Sequence, residues 1–177
     1  KANVGLAFDG DADRMLAVDE NGNMIDGDQI MAIIGNHMKQ QGKLKHDTIV
    51  ATVMSNLGFY LMAKEQGLSI EQTKVGDRYV LERMREIDAS LGGEQSGHII
   101  LKKYATTGDG LLTAIMITEE ICDSKLSLAE LSEPVMLYPQ YTKNIRVKDK
   151  AAVLSDKNVL SALDDVEKLI NKKGRAL

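Results

Sequence analysis

Two spacings of apolar residues alternate along the chain and predict alternating strands and helices. Runs rich in β-branched residues, such as TIVATVM over 48–54, are typical of buried strands, whereas QIMAIIGNHMKQQ over 29–41 repeats its apolar positions at helical spacing. Further strands are predicted over 3–8, 15–19, 24–26, 69–75, 89–94 and 99–103, and further helices over 57–66, 79–87 and 109–123. The strand over 3–8 is expected to be buried. This alternation predicts an α/β fold with mostly parallel strands.

Turn and capping residues indicate where these elements begin and end. Asn21-Gly22 predicts a hairpin between the strands over 15–19 and 24–26, because a tight hairpin turn needs positive φ. Polar side chains that can accept backbone hydrogen bonds mark helix starts, and glycines mark helix ends. The predicted caps are Asp28, Ser55 and Ser127, and the predicted ends are Gly42 and Gly67.

The last quarter of the chain is predicted to be separate from the rest. Pro134 and Pro139, the only prolines, bracket EPVMLYPQ and predict a linker with a domain boundary near 134–140. Beyond it we expect a strand over 141–147 and an amphipathic helix over 157–173. The chain begins within one predicted strand and ends at GRAL, where another is predicted, so we expect an internal fragment of a longer protein.

Composition narrows the range of functions. The 177 residues carry 22 basic and 26 acidic side chains, a net charge of −4 that does not favour nucleic-acid binding. No apolar run approaches the roughly 18 residues of a membrane-spanning helix. The single cysteine, Cys122, is interpreted as a small buried hydrophobe, which fits a reducing cytoplasm. His37 and His46 are interpreted as surface residues.

The stretch AFDGDADRML places Asp9, Asp11 and Asp13 directly after the first predicted strand, with Arg14 beside them. On a straight strand the first and last of these carboxylates would lie roughly 13 Å apart. The oxygen ligands of one Mg²⁺ lie within about 4 Å of each other. We therefore expect the backbone to curl around an ion, which the small residues between the carboxylates permit. Three carboxylates favour Mg²⁺, Mn²⁺ or Ca²⁺ over Zn²⁺.

Other interpretations of the aspartate cluster remain open. The spacing from Asp9 to Glu20 approaches an EF-hand, which would make this a non-catalytic module for divalent metals. Arg14, however, stands where that loop needs glycine, and strands are predicted on both sides. A phosphatase with Asp9 as its nucleophile is a second alternative, and a solvated acidic turn is a third.

Four loops follow predicted strands directly: DGDADR over 9–14, SNLG over 55–58, GDR over 76–78 and GEQSGH over 93–98. Ligands of open α/β sheets bind beyond the carboxyl ends of the strands. We therefore expect the functional site among these loops.

DGDADR, followed about 80 residues later by GGEQSGH, resembles the α-D-phosphohexomutase family, and VGDRYV and TTGDG add support. The resemblance extends over essentially the whole chain. It implies the end of the family's second domain over 1–26 and the whole third domain over 27–134, with α/β/α layers and a mostly parallel mixed sheet. It further implies a linker and the start of the fourth domain over 135–177.

Within the family, Gln95 and VGDRYV are most similar to the bacterial phosphoglucosamine mutases. These interconvert glucosamine 6-phosphate and glucosamine 1-phosphate through a phosphoserine, on the route to cell-wall precursors. Phosphoglucomutases and phosphomannomutases are the alternatives. The family's phosphoserine loop and its last phosphate loop have no counterpart here. The resemblance therefore implies a cytoplasmic enzyme completed by missing domains of the same polypeptide, and we expect this chain alone to be inactive.

The resemblance also implies roles for single residues. Arg14 is expected to contact the phosphate or the sugar oxygen, and His98 the sugar, although a core or capping histidine is equally compatible. The implied Mg²⁺ ligands are Asp9, Asp11 and Asp13; the implied catalytic residues are Arg14 and His98; the implied substrate-binding residues are Glu94, Ser96, His98, Asp77 and Arg78. Asp77 and Arg78 also suit an ordinary helix start.

Overall fold

A computed structural model describes residues 2–170 and 174–176, which belong to two compact units, Lys1–Tyr138 and Pro139–Leu177. The strands of the first unit are β1 (Gly5–Phe8), β2 (Met15–Val18), β3 (Met24–Ile25), β4 (Thr48–Thr52), β5 (Ser69–Thr73), β6 (Leu91–Gly93) and β7 (Ile99–Leu101). Its helices are α1 (Gly27–Gln40), α2 (Leu57–Glu65), α3 (Asp77–Glu86), α4 (Gly110–Ser124) and α5 (Leu128–Ser132). The second unit contains α6 (Lys150–Leu154) and α7 (Lys157–Ile170).

The central sheet of the first unit has the strand order β5-β4-β6-β7. Strand β4 pairs in parallel with β5 and β6, and β7 pairs antiparallel with β6. Alternate residues of β4 face opposite layers: Ile49 belongs to the large core formed with α1, α2 and α4, and Val50 to the smaller core with α3. The α/β/α layering and the mostly parallel mixed sheet are therefore confirmed.

A second, antiparallel sheet has the order β1-β2-β3. The hairpin predicted between β2 and β3 is present; Gly22 adopts φ +90°, and the Asp19 carboxylate accepts hydrogen bonds from the backbone N–H groups of Asn21 and Asn23. The expectation that the first strand is buried is wrong. Leu6 and Phe8 are 36% and 44% exposed, and β1 is an edge strand of the three-stranded sheet.

Two helices are capped by a different residue from the predicted one. Asp26, not Asp28, caps α1: its carboxylate accepts from the N–H of Gln29, whose side chain accepts from the Asp26 N–H in a capping box. Asp28 is buried and accepts from the Asn56 N–H at 2.6 Å. Asn56, not Ser55, caps α2. Both predicted caps are displaced because their side chains lie in the interior.

The burial of His37 and Cys122 is the opposite of what the sequence predicts. His37 is buried, because it lies three and four residues from Ile34 and Ile33 on the inner side of α1. Its Nδ1 contacts the Glu120 carboxylate of α4, and its Nε2 lies 2.7 Å from the side-chain nitrogen of Gln41. Burial raises the pKa of Glu120, and His37 partly offsets this shift.

Cys122, expected to be buried, is exposed because it lies on the outer side of α4. His46 is exposed, as expected.

The second unit consists of helices and irregular chain in the residues that the structure describes. Helix α7 confirms the predicted amphipathic helix as far as Ile170, and residues 171–173 lie outside the described part. The strand predicted over 141–147 is wrong: the segment is irregular, and this unit offers it no strand to pair with among the described residues. The described part of GRAL, 174–176, is not a strand either. No helix in the described ranges has the length and apolar character needed to cross a membrane.

Candidate functional site

The aspartate loop between β1 and β2 folds back on itself. Ala12 adopts φ +59°, and its N–H donates to the carbonyl oxygen of Asp9 at 3.2 Å, which closes a tight turn. As a result one carboxylate oxygen from each of Asp9, Asp11 and Asp13 lies within 4.8 Å of the others. The predicted curl is confirmed. Ligand oxygens about 2.1 Å from Mg²⁺ lie about 3 to 4 Å apart, so these three carboxylates would have to move somewhat closer together to share one ion.

Arg14 closes the open side of this loop. Its backbone N–H donates to Asp9 at 3.2 Å, and its Nε lies 4.0 Å from Asp9 and 3.9 Å from Asp13. The guanidinium side chain is half exposed and free to meet an anion. The pKa of Asp13 is raised by partial burial and by the nearby carboxylates of Asp11 and Asp9. A divalent cation would relieve this repulsion, so the donor set fits hard cations.

The flanks of the loop exclude the EF-hand interpretation. That motif places a helix on each side of its loop, whereas here β1 precedes Asp9 and β2 follows Arg14. The alternative of an EF-hand module is therefore wrong.

The GEQSGH loop is a tight turn between β6 and β7 that lies against the aspartate loop. The Glu94 N–H donates to His98 O and the Gly97 N–H to Glu94 O, both at 3.0 Å. Gly97 has φ +91°, and its carbonyl accepts from the Met15 N–H at 3.2 Å. A Cβ on Gly97 would lie 2.3 Å from Met15 O. Only glycine fits this contact, which joins the two predicted site loops.

The start of α1 also packs on this turn. The Gly27 N–H donates to Gln95 O at 2.9 Å, and the Gln95 side chain donates to Asp26 at 3.1 Å. A Cβ on Gly27 would lie 2.1 Å from Glu94 O. The helix start thus fixes the backbone of the turn, and Gln95 contributes by holding the residue that caps the helix.

TTGDG, at the start of α4, lies against the other side of the aspartate loop. The Gly110 N–H donates to Ala12 O at 2.9 Å, and the Gly108 N–H donates to Nε2 of His98 at 3.1 Å. His98 is 2% exposed, and its Nε2 lies 3.6 Å from Asp13 Oδ2. Because Nε2 accepts a hydrogen bond, it carries no proton in this arrangement. His98 therefore packs against the buried side of the aspartate loop.

The GDR loop meets the site through its backbone. The Gly76 N–H donates to Glu94 Oε1 at 2.9 Å, which places the Glu94 carboxylate at the start of α3. Asp77 accepts from the neighbouring Arg78 N–H, and the Arg78 guanidinium pairs with Glu82 on the outer surface. Ser96 is exposed at the tip of GEQSGH. The structure thus brings Glu94 to the site and directs Arg78 along its own helix.

Comparison with known proteins identifies the family. The pattern of the phosphoglucomutase/phosphomannomutase family, alpha/beta/alpha domain III, matches residues 26–138. The chain belongs to this phosphohexomutase family. It is similar to the phosphoglucosamine mutases of Acetivibrio thermocellus, with 54% identity over 99% of the chain, and Bacillus subtilis, with 51% over 99%. The chain covers 40% and 39% of those relatives, so it spans about 40% of their length.

A solved structure supports the fold. N-acetylphosphoglucosamine mutase of Aspergillus fumigatus, solved with GlcNAc-6P and magnesium, matches with a TM-score of 0.74 and 17% identity, over 93% of this chain and 43% of that one. The fold of this phosphohexomutase chain is therefore shared with a distant relative despite low identity.

Three glycines that contact the candidate site loops have no sign in the sequence that marks them individually. Gly27, Gly108 and Gly110 contact the predicted loops through their backbones. Such contacts cannot be inferred from the chemistry of side chains. The TTGDG motif was a signal for two of them. The SNLG loop, in contrast, bonds elsewhere: the Asn56 side chain accepts from the N–H of Tyr138 and donates to its carbonyl oxygen. These two hydrogen bonds hold Tyr138, the last residue of the first unit, against the SNLG loop.

Proposed function

We propose that this chain supplies the metal-binding and sugar-binding parts of a phosphoglucosamine mutase that interconverts glucosamine 6-phosphate and glucosamine 1-phosphate. Identities of 51% and 54% to enzymes of that name support the choice of sugar phosphate. The observation that carries the proposal is the hydrogen bond from Met15 to Gly97, which holds the aspartate loop against GEQSGH. A phosphoryl group bound at one loop can thereby meet a sugar bound at the other.

The proposed domains follow the family. Residues 1–26 would close the second domain with the metal loop, residues 27–134 would form the third with the sugar loop, and residues 135–177 would lead into the fourth. The remaining domains of the same polypeptide would supply the phosphoserine. We therefore propose that the chain alone binds sugar phosphate without turnover. We also propose a cytoplasmic location, since its one cysteine is free.

In the proposed reaction, Asp9, Asp11 and Asp13 would hold Mg²⁺. Bound Mg²⁺ would neutralise charge on the phosphoryl oxygens and make phosphorus more electrophilic. The Arg14 guanidinium would bind a phosphoryl oxygen during transfer, because its fork of donors and fixed charge suit that group.

The sugar would be held by the GEQSGH loop. The Gly76 N–H fixes one oxygen of Glu94 and leaves the other as the proposed acceptor for a sugar hydroxyl. Exposed Ser96 would provide a further hydroxyl contact, and Asp77 at the start of α3 would line the cleft. Arg78 would reach the cleft only by leaving its pair with Glu82. Of the two roles open to His98, burial and the Gly108 hydrogen bond support positioning of Asp13 over direct proton transfer.

Turnover of the complete polypeptide on three sugar phosphates tests this function. We expect the highest kcat/KM with glucosamine 6-phosphate, compared with glucose 1-phosphate and mannose 1-phosphate. Equal or faster turnover of glucose 1-phosphate would instead favour a phosphoglucomutase. A stable acyl phosphate trapped on Asp9 would support the phosphatase alternative.

A further inference from the structure

A cavity of about 530 Å³ lies at the edge of the central sheet opposite the candidate site. The site loops follow the carboxyl end of β6, whereas this cavity is lined by Ser90, which precedes β6, and Leu101, which ends the antiparallel β7. Its apolar wall includes Met38 of α1 and Met116 of α4. The volume is in the range of small-molecule sites, about 300–1,000 Å³.

The polar wall of the cavity is basic. Four of its residues are lysines and two are carboxylates, in a chain whose net charge is −4. Asp88 pairs with Lys45 at 2.6 Å and with Lys102 at 2.7 Å. These bonds hold the pKa of Asp88 down at about 2, so it stays charged. One carboxylate thus serves two lysines, and the cavity keeps an excess of positive charge.

The remaining two lysines are available to a ligand. Lys43 and Lys103 are exposed at the cavity, and within residues 2–170 and 174–176 neither has a carboxylate partner. Lys103 Nζ lies 5.1 Å from the centre of the Tyr104 ring, which also lines the cavity. Cations beside an aromatic ring and methionine side chains form a surface suited to an anion that carries an apolar ring.

We propose that this cavity binds a small organic phosphate with an attached ring, of the nucleoside monophosphate type. The phosphate meets Lys43 and Lys103, and the ring lies against Met38, Leu101 and Met116. This site is separate from the metal and sugar loops and does not depend on the proposed reaction.

Titration of the ¹⁵N-labelled chain with adenosine 5′-monophosphate, followed by NMR, tests the proposal. We expect amide shifts at residues 43, 89–90 and 101–104, with an affinity at least tenfold higher than for inorganic phosphate or adenosine. Shifts confined to residues 9–14 and 93–98 would overturn the proposal, as would equal affinity for phosphate alone or adenosine alone.

A pair of charge-matched variants sharpens the test. Lys43→Ala combined with Lys103→Ala should weaken binding of adenosine 5′-monophosphate at least tenfold. Lys64→Ala combined with Lys148→Ala removes the same charge from exposed positions outside the cavity and should leave the affinity within twofold. Thermal melts establish that both variants fold. Equal weakening in the two variants would show a general charge effect and contradict the proposed site.

Discussion

Nε2 of His98 lies 3.6 Å from Oδ2 of Asp13 while it accepts a hydrogen bond from the buried N–H of Gly108. The imidazole thus links GEQSGH, the aspartate loop and TTGDG. His98→Phe keeps a ring but leaves the Gly108 N–H unpaired, which should lower the free energy of unfolding by about 2 kcal/mol. Urea denaturation measures this loss. His98→Gln, which can still accept a hydrogen bond, should lose less, and an equal loss would argue against the Gly108 bond as the cause.

Gly97→Ala should be among the most destabilising small substitutions in the first unit. The position combines φ +91° with a Cβ placed 2.3 Å from Met15 O. Gly22→Ala is the matched control, because Gly22 has φ +90° and open space around its Cβ position. We expect about 1 kcal/mol for Gly22→Ala from backbone strain alone and about 3 kcal/mol or more for Gly97→Ala. Similar losses in both, measured by thermal melts, would show that the loop contact is unimportant.

The buried pair of His37 and Glu120 predicts an asymmetry between single and double substitutions. His37→Ala leaves the Glu120 carboxylate buried without its partner and should cost about 3 kcal/mol of stability. Replacing both residues by leucine removes the buried charge and should restore stability to within about 1 kcal/mol of the starting chain. Chemical denaturation of the starting chain and the two variants measures this. A double variant as unstable as His37→Ala would contradict the interpretation.

Asp88 predicts an acid-dependent contribution to stability. Its pKa is about 2 in the folded chain, against an ordinary value of 3.8, because Lys102 and Lys45 donate to it. The unfolded chain therefore takes up a proton first on acidification, and stability from this group is lost as the pH falls from about 4 to about 2. Asparagine tolerates the local φ of +54°. The Asp88→Asn variant should therefore be less stable at pH 7, and its free energy of unfolding should change less between pH 4 and pH 2.

Urea denaturation across pH 2–7 measures the difference. Lys45→Ala combined with Lys102→Ala removes both donors to Asp88 and should weaken the dependence of stability on pH through the same window. If the free energy of unfolding of Asp88→Asn kept the same dependence on pH as that of the starting chain, the ion pairs of Asp88 with Lys45 and Lys102 would be contradicted.

Much of the fold follows from apolar spacing alone. The run over 48–54 becomes β4 because its β-branched residues suit a fully buried strand, and the run over 29–41 becomes α1 because its apolar positions repeat at helical spacing. Helix starts were less predictable. At α1 several polar residues stand together, and only the pairing of Asp26 with Gln29 distinguishes the cap. The burial of His37 follows from its place in the helical repeat of α1, although histidine is less often buried than apolar residues are.

The curl of the aspartate loop was predictable from the spacing of its carboxylates. Carboxylates too far apart on a straight strand must curl to share an ion, and Ala12 at φ +59° provides that curl. The packing of Gly108 and Gly110 on this loop joins residues almost one hundred positions apart through backbone atoms. Such contacts depend on the tertiary fold, and local sequence contains no direct sign of them.

The central claim is that the aspartate loop, GEQSGH and TTGDG form one metal site beside one sugar site. Stepwise addition of Mn²⁺ to the ¹⁵N-labelled chain tests it most directly, because the paramagnetic ion broadens the amides nearest to it. We predict that residues 9–14 broaden first, followed by 97–98 and 108–110, and that Asp11→Asn abolishes this pattern. Equal broadening in Asp11→Asn, or first broadening at the exposed carboxylates of α7, would contradict the account.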